Sequence, residues 1–298
     1  MESAVTSLMS NEELAHVERM RLNPLRKLVN RCRGEHLSGR GGSSMEFSDY
    51  RDYVPGDDTR YIDWNIFSRL RRPYLKLYAA EEEARLLILV DASSSMLFGG
   101  KLDLALSLAT AFGVMGLRGE ERVSIHVSGP EPGATMKATS GRGGVRRLLH
   151  FLEKVSRVGG ATTFDVGVSD ALKRHRGKGM AVLLSDFLTF GDVSRSMNAL
   201  FSVGLEPFAL QILSPDEIEP DLSDDFRFVD CETHSTLDVT AGGDILSIYH
   251  EHREALAEEL DDICRKRSGR FASVSSDTPL LSIVNDVFLR RGWIKAAK

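Results

Sequence analysis

Leu86-Leu87-Ile88-Leu89-Val90-Asp91-Ala92-Ser93-Ser94-Ser95 is the stretch whose reading decides the fold. Five consecutive apolar residues with no polar interruption suit a strand covered on both faces, as the central strands of parallel sheets are. The run stops abruptly at Asp91, and the Ser-rich segment leading to Gly99-Gly100 supplies a turn. Leu102 to Leu117 is then helical by length and almost wholly apolar, so it is expected to pack against that strand.

The same alternation continues outward. Val123 to Val127 reads as a second strand and Ala134 to Thr139 as a third at a sheet edge. Arg142 to Val158 carries Val145, Leu148, Leu149, Leu152 and Val155 at helical spacing before Gly159-Gly160 ends it. Phe164 to Arg174 is a further helix, and Met180 to Ser185 is another buried strand, stopping at Asp186. Val193 to Val203 (helix) and Pro207 to Leu213 (strand) follow, then a short strand at Phe226 to Asp230 with a hairpin toward Val239. A long helix from Asp244 to Arg267, a strand at Phe271 to Val274 and a closing helix at Leu280 to Arg290 complete the chain. This rhythm predicts an α/β fold with a doubly wound sheet.

Upstream, Asn11 to Arg31 reads as a helix capped by Asn11 and split at Pro24. Gly34 to Ser44 has no apolar period and is expected to be a loop, and Met45 to Tyr78 alternates aromatics with charges around the turn Pro55-Gly56-Asp57-Asp58. The expected organisation is an N-terminal extension over residues 1–80 and an α/β domain over 81–298 with a C-terminal helix-strand-helix addition.

Composition sets bounds on function. Of the 298 residues 42% are apolar and 27% charged, the balance of a globular protein with a sizeable core. Cys32, Cys231 and Cys264 are far apart and odd in number, which points to reduced thiols, most of them buried. Between Pro215 and Asp262 sixteen Asp or Glu face two Arg, a block that argues against nucleic acid as a partner of the C-terminal third. With no run of eighteen apolar residues and a polar N-terminal segment through Arg21, the expectation is a soluble, cytoplasmic protein without a membrane span.

Open α/β sheets bind ligands at the carboxyl ends of their strands. Here Asp91 closes one apolar strand, Asp186 another, and the loop Gly159-Gly160-Ala161-Thr162-Thr163 offers hydroxyls before a helix. A tight loop leaving a strand turns alternate side chains, Ser93 and Ser95, toward the point that Asp91 faces. Hydroxyls and carboxylates are hard oxygen ligands, so Asp91, Ser93, Ser95, Thr162 and Asp186, directly or through water, suit an octahedral Mg²⁺ or Mn²⁺ with one position open to an outside carboxylate. The competing reading of Asp91, Ser93 and Ser95 is a helix-capping loop.

In order and placement, Asp91-Ala92-Ser93-Ser94-Ser95, the Thr162 loop and Asp186 resemble the metal-ion-dependent adhesion site of von Willebrand factor A domains, which implies such a domain's doubly wound, mostly parallel sheet flanked by helices. Upstream, Glu46-Phe47, Arg51-Asp52-Tyr53-Val54-Pro55-Gly56-Asp57-Asp58, Arg60, Ile62-Asp63-Trp64 and Ser68-Arg69 resemble the signature of the bacterial domain-of-unknown-function family 58. That resemblance implies an accessory protein working beside a MoxR-type AAA+ ATPase or its client, binding rather than catalysing. Many such proteins carry two membrane helices ahead of the signature, and none precedes it here.

The rival is a Mg²⁺-dependent phosphoester hydrolase, since Mg²⁺ at strand ends also serves that chemistry. Against it stand the lack of a D-x-D pair, of a G-x-S-x-G elbow, and of a Lys close in sequence to Asp186. Asp57, Asp58, Arg60, Asp63, Trp64 and Arg69 read as a turn fixed by Asp–Arg pairs around a buried Trp, with a second functional surface as the alternative. Arg69, Arg71, Arg72 and Lys76 read as a solvated basic strand, and Gly39 to Ser44 lacks the ending of a phosphate loop. His126 reads as a satisfied core histidine, and His250 and His252 as helical residues without a third ligand.

Overall fold

The computed structural model describes residues 6–25, 30–32, 45–80, 84–129, 133–141, 143–160, 162–189, 191–221, 226–231, 235–239 and 243–297. The expected loop at Gly34 to Ser44 lies outside them. Contacts divide the chain into two units, residues 1–26 with 84–298, and residues 27–83. The first 26 residues thus belong with the α/β unit, not with the extension expected over residues 1–80.

The larger unit is built on six strands: β1 Arg85–Asp91, β2 Arg122–Ser128, β3 Ala134–Thr139, β4 Gly179–Ser185, β5 Leu205–Leu213 and β6 Arg270–Ser275. Their order is β6-β5-β4-β1-β2-β3, all parallel except β3, which runs antiparallel to β2. Helices α1 Lys101–Arg118, α2 Gly143–Glu153, α3 Phe164–Arg174, α4 Val193–Ser202 and α5 Gly243–Arg265 flank it. This is the doubly wound, mostly parallel, von Willebrand factor A-like sheet that the sequence predicts.

Strand periodicity shares the apolar residues between two cores. Leu86, Ile88 and Val90 of β1 join α1, α2 and the C-terminal Phe288 and Trp293 on one face. Leu87 and Leu89 join Phe164 and Val168 of α3, Met197 of α4 and Leu260 and Cys264 of α5 on the other. Both faces being covered, an unbroken apolar run is what β1 requires. The turn and helix Ser95–Arg118 are long and apolar enough to cross a membrane, and 67% of that window is buried inside the protein, where α1 is a core helix.

Several boundaries differ from expectation. The first helix covers only Asn11–Glu18, its cap being Ser10 in a reciprocal pair with Glu13, not Asn11. Met20–Leu22 then forms a strand against Ile294–Ala296, with Met20 and Leu22 buried, and Asn30–Cys32 is a strand of the other unit. Tertiary pairing of alternate apolar residues overrides the helical pattern there. Helix α2 stops at Glu153, although Val155 is still buried. The closing helix is one short turn, Leu280–Ser282, followed by π-helical turns through Leu289. Cys231 is exposed and Cys264 buried.

Residues 27–83 form a three-stranded antiparallel sheet, Asn30–Cys32, Tyr74–Ala80 and Met45–Asp52, with Tyr74–Ala80 in the middle. The expected Asp–Arg pairs form: Arg51 with Asp57 at 2.7 Å and Arg60 with Asp58 at 2.6 Å. Asp63 caps the helix Trp64–Leu70 and also accepts from Tyr50 and Lys76. Trp64 departs from expectation, being 61% exposed where a buried anchor is expected; as the first residue of a capped surface helix it touches Phe67 edge-on.

Candidate functional site

Strands β1 and β4 are neighbours, and the chain leaves them toward opposite edges of the sheet, so their carboxyl ends flank the topological switch point. Asp91 ends β1, and Ser185 ends β4 with Asp186 next in the chain. The Asp91 carboxylate is buried; its Oδ1 accepts from the Ser93 N–H at 2.9 Å and its Oδ2 from the Ser185 hydroxyl at 2.7 Å. The Ser185 oxygen in turn accepts from the Phe187 N–H at 2.9 Å. Phe187 holds a left-handed backbone (φ 57°) while its ring packs on Phe164, so local strain fixes the bend after Asp186.

Burial pushes the Asp91 carboxyl above the ordinary carboxylate range. The Ser185 hydrogen bond opposes that shift, and the nearby charge of Asp186 adds to it. Ser93 and Ser95 place their hydroxyl oxygens 3.0 Å apart. Two adjacent ligands of an octahedral Mg²⁺, each about 2.1 Å from the ion, are separated by about 3.0 Å, a spacing that this hydrogen-bonded hydroxyl pair matches.

Main-chain contacts lock the loops together. The Ser94 N–H donates to the Gly160 carbonyl at 3.2 Å, and Ser93 and Gly160 form a parallel bridge. The Ala92 N–H donates to the Ser128 carbonyl at 2.7 Å. Gly129, at φ +139°, lies so close that a Cβ would stand 2.2 Å from the Ala92 carbonyl oxygen. Thr162, half-buried, donates its hydroxyl to the Gly129 carbonyl at 3.0 Å, which leaves its oxygen lone pairs for a ligand role.

Asp186 is already engaged. Its Oδ2 accepts from the Lys101 ammonium at 2.8 Å and its Oδ1 from the Leu188 N–H at 3.0 Å. Lys101, at the head of α1, is fully buried and also donates to Glu217 at 2.5 Å. Burial alone would lower its proton affinity, and Asp186 and Glu217 outweigh that, so it is held charged. Glu217 belongs to the reciprocal Ser214–Glu217 cap, and its carbonyl accepts from the Tyr249 hydroxyl of α5.

The structure therefore gathers Asp91, Ser93 and Ser95 directly, hydrogen-bonds the Thr162 loop to them, and sets Asp186 close by on a lysine. Sequence reading finds no lysine near Asp186 because Lys101 is 85 residues away along the chain. A charged residue heading an almost wholly apolar helix was the available signal. Ser185 and Glu217 carry no comparable sign. His126 is a buried histidine whose Nδ1 meets the Thr135 hydroxyl at 3.0 Å.

Comparison with known proteins bears on the family. The solved structure of a conserved hypothetical protein BatB from Bacteroides thetaiotaomicron is 15% identical, with 64% of this chain and 90% of that one covered and a TM-score of 0.43. The SpRpn10 VWA domain is 14% identical, with 69% and 95% covered and a TM-score of 0.41. Uncharacterised proteins Rv1480 of Mycobacterium tuberculosis and Mb1516 of Mycobacterium bovis are each 30% identical over 217 residues, 70% of this chain and 68% of theirs. The family described as protein of unknown function DUF58 matches residues 49–258, which takes in both the Arg51 to Arg69 segment and every residue of the strand-end site. By the extent of that match and by those relatives, the chain belongs to the DUF58 family.

Proposed function

We propose that this protein is a metal-dependent protein-binding module in which Asp91, Ser93 and Ser95, with Thr162 and Asp186 directly or through water, hold Mg²⁺ or Mn²⁺ and a partner's carboxylate supplies the last ligand. The observation that carries this reading is the 3.0 Å spacing of the Ser93 and Ser95 hydroxyls beside a buried carboxylate that no side-chain cation contacts among the described residues. When bound, the ion would compensate Asp91 and attract an anionic group. Lys101, enclosed between two carboxylates, is not placed to neutralise a transferring phosphoryl group, which favours binding over ester hydrolysis. On the family resemblance, the partner to try first is a MoxR-type AAA+ ATPase or its client.

Titration calorimetry with MgCl₂ and MnCl₂ on the metal-free chain tests the reading. Saturable binding is expected, abolished in Asp91→Ala and Ser93→Ala variants that still unfold cooperatively. Capture of the ATPase should disappear in chelator and return with Mg²⁺. If the wild-type protein binds neither ion at millimolar concentration, the proposal fails; turnover of a phosphate ester that needs Asp91 would restore the hydrolase.

A further inference from the structure

Among the described residues the central sheet ends at β3, which pairs there with β2 alone. Among the described residues, no backbone group of Ala134–Thr139 bonds to anything beyond β2, so its outer row of N–H and C=O groups is open. Such an edge is a template for a further strand unless charge or a covering element guards it. The strand's single charged residue is Lys137, which is exposed.

Grooves open on both faces of this edge. On the α2 side a groove of about 630 Å³ is lined by Met136, Phe151 and Val155 with Lys137, Arg147 and Lys154. Toward α3 a second, of about 470 Å³, sets Leu87 and Met136 beside Arg85, Lys137, Arg174 and Arg176. Among the described residues neither lining contains an Asp or Glu. None of these six cations forms an ion pair among the described residues; Asp170, one turn before Arg174, is held by Lys173 at 2.7 Å. Burial holds His126 and His175 below the usual histidine range; Arg174 adds to it at His126, where Asp170 opposes, and Arg85 with Arg176 adds to it at His175, where the Gly177 carbonyl opposes.

We propose that β3 accepts an added strand from a partner protein, an extended segment of acidic residues interspersed with apolar ones. Its backbone would complete the sheet, and its alternate side chains would enter the two grooves, carboxylates meeting the cations and apolar groups the Met136 floor. A second copy of this chain fits poorly, since pairing β3 with itself would bring two Lys137 ammonium groups together. The acidic partner segment satisfies both the open edge and the unbalanced charge. This inference does not rest on the metal reading.

The probe is a fluorescein-labelled decapeptide of alternating Glu-Glu and Val-Val pairs, which puts carboxylates and apolar groups on both faces of an added strand, followed by anisotropy with the full chain in EDTA. Saturable binding is expected, unchanged in Asp91→Ala. It should weaken about tenfold in Lys137→Glu and in Lys154→Glu, both exposed positions whose folding thermal unfolding will verify. A peptide N-methylated at two adjacent central residues, which blocks both of its hydrogen-bonding edges, should not bind. Absence of binding, equal binding of the N-methylated peptide, or indifference to Lys137→Glu overturns the proposal. So does a peptide-free dimer that Lys137→Glu dissociates, which would give the edge to a second copy.

Discussion

Asp91 and Asp186 stand at matching places, one ending β1 and the other just past β4, and both are almost completely buried. The protein treats them differently. Asp186 receives a full positive charge from Lys101 at 2.8 Å, whereas Asp91 receives only dipoles, from the Ser93 N–H and the Ser185 hydroxyl. Dipoles offset less of the cost of burying a carboxylate than an ammonium does, and the raised proton affinity of Asp91 follows. One strand end is thus neutralised from within, and on the proposed reading the other is completed by an ion from solution.

Four experiments break or sharpen that contrast. Lys101→Met leaves Asp186 and Glu217 without their buried cation and should cost roughly 3–5 kcal/mol in urea unfolding. A loss under about 1 kcal/mol would mean that Asp186 never depended on an internal cation. Next, Asp91→Ala should lower Mg²⁺ affinity more than about 100-fold in calorimetry while changing metal-free stability little. Equal damage to stability with and without Mg²⁺ would make Asp91 a folding residue. Ser185→Ala removes the hydroxyl that orients Asp91 and should lower Mg²⁺ affinity about tenfold; unchanged affinity would show that Ser93 alone positions the carboxylate.

The last test uses a third carboxylate, at the opposite end of the sheet. Glu121, just before β2, is raised to about 8 by burial, with Arg21 opposing the shift. Its folded state keeps a proton that the unfolded chain loses near pH 4.5, so wild-type stability should fall as pH rises from about 4.5 to about 8. Glu121→Gln should flatten that decline and, since the side chain is only partly enclosed, gain about 2 kcal/mol at the upper end. Parallel stability–pH curves for variant and wild type would show that Glu121 is solvated like an ordinary surface acid.

Much of the α/β unit was legible because local pattern and tertiary role agree in it. The apolar runs Leu86–Val90 and Met180–Leu184 are buried on both faces and could not be read otherwise. Where the two disagree, the sequence misleads. Met20–Leu22 sits inside a helical pattern yet pairs with Ile294–Ala296, some 270 residues away, a contact no local signal carries. Trp64 looks like an anchor by residue type, and only the cap at Asp63 reveals that it begins an exposed turn. At the site, residues bound to neighbours in sequence were visible and those that act across the sheet were not. The Asp91 to Ser95 loop announces itself by spacing, whereas Lys101 reaches Asp186 through a fold that must exist first.

Gly129 carries a consequence for mutational landscapes. Its missing side chain lets the segment after β2 press main chain to main chain against Ala92. A saturation library sorted solely for foldedness should therefore return glycine at position 129 while tolerating asparagine at 91. Sorting the same library for ion capture should reject asparagine at 91 as well as every replacement of Gly129. Subtracting the two profiles would separate the residues that build this cradle from those that use it.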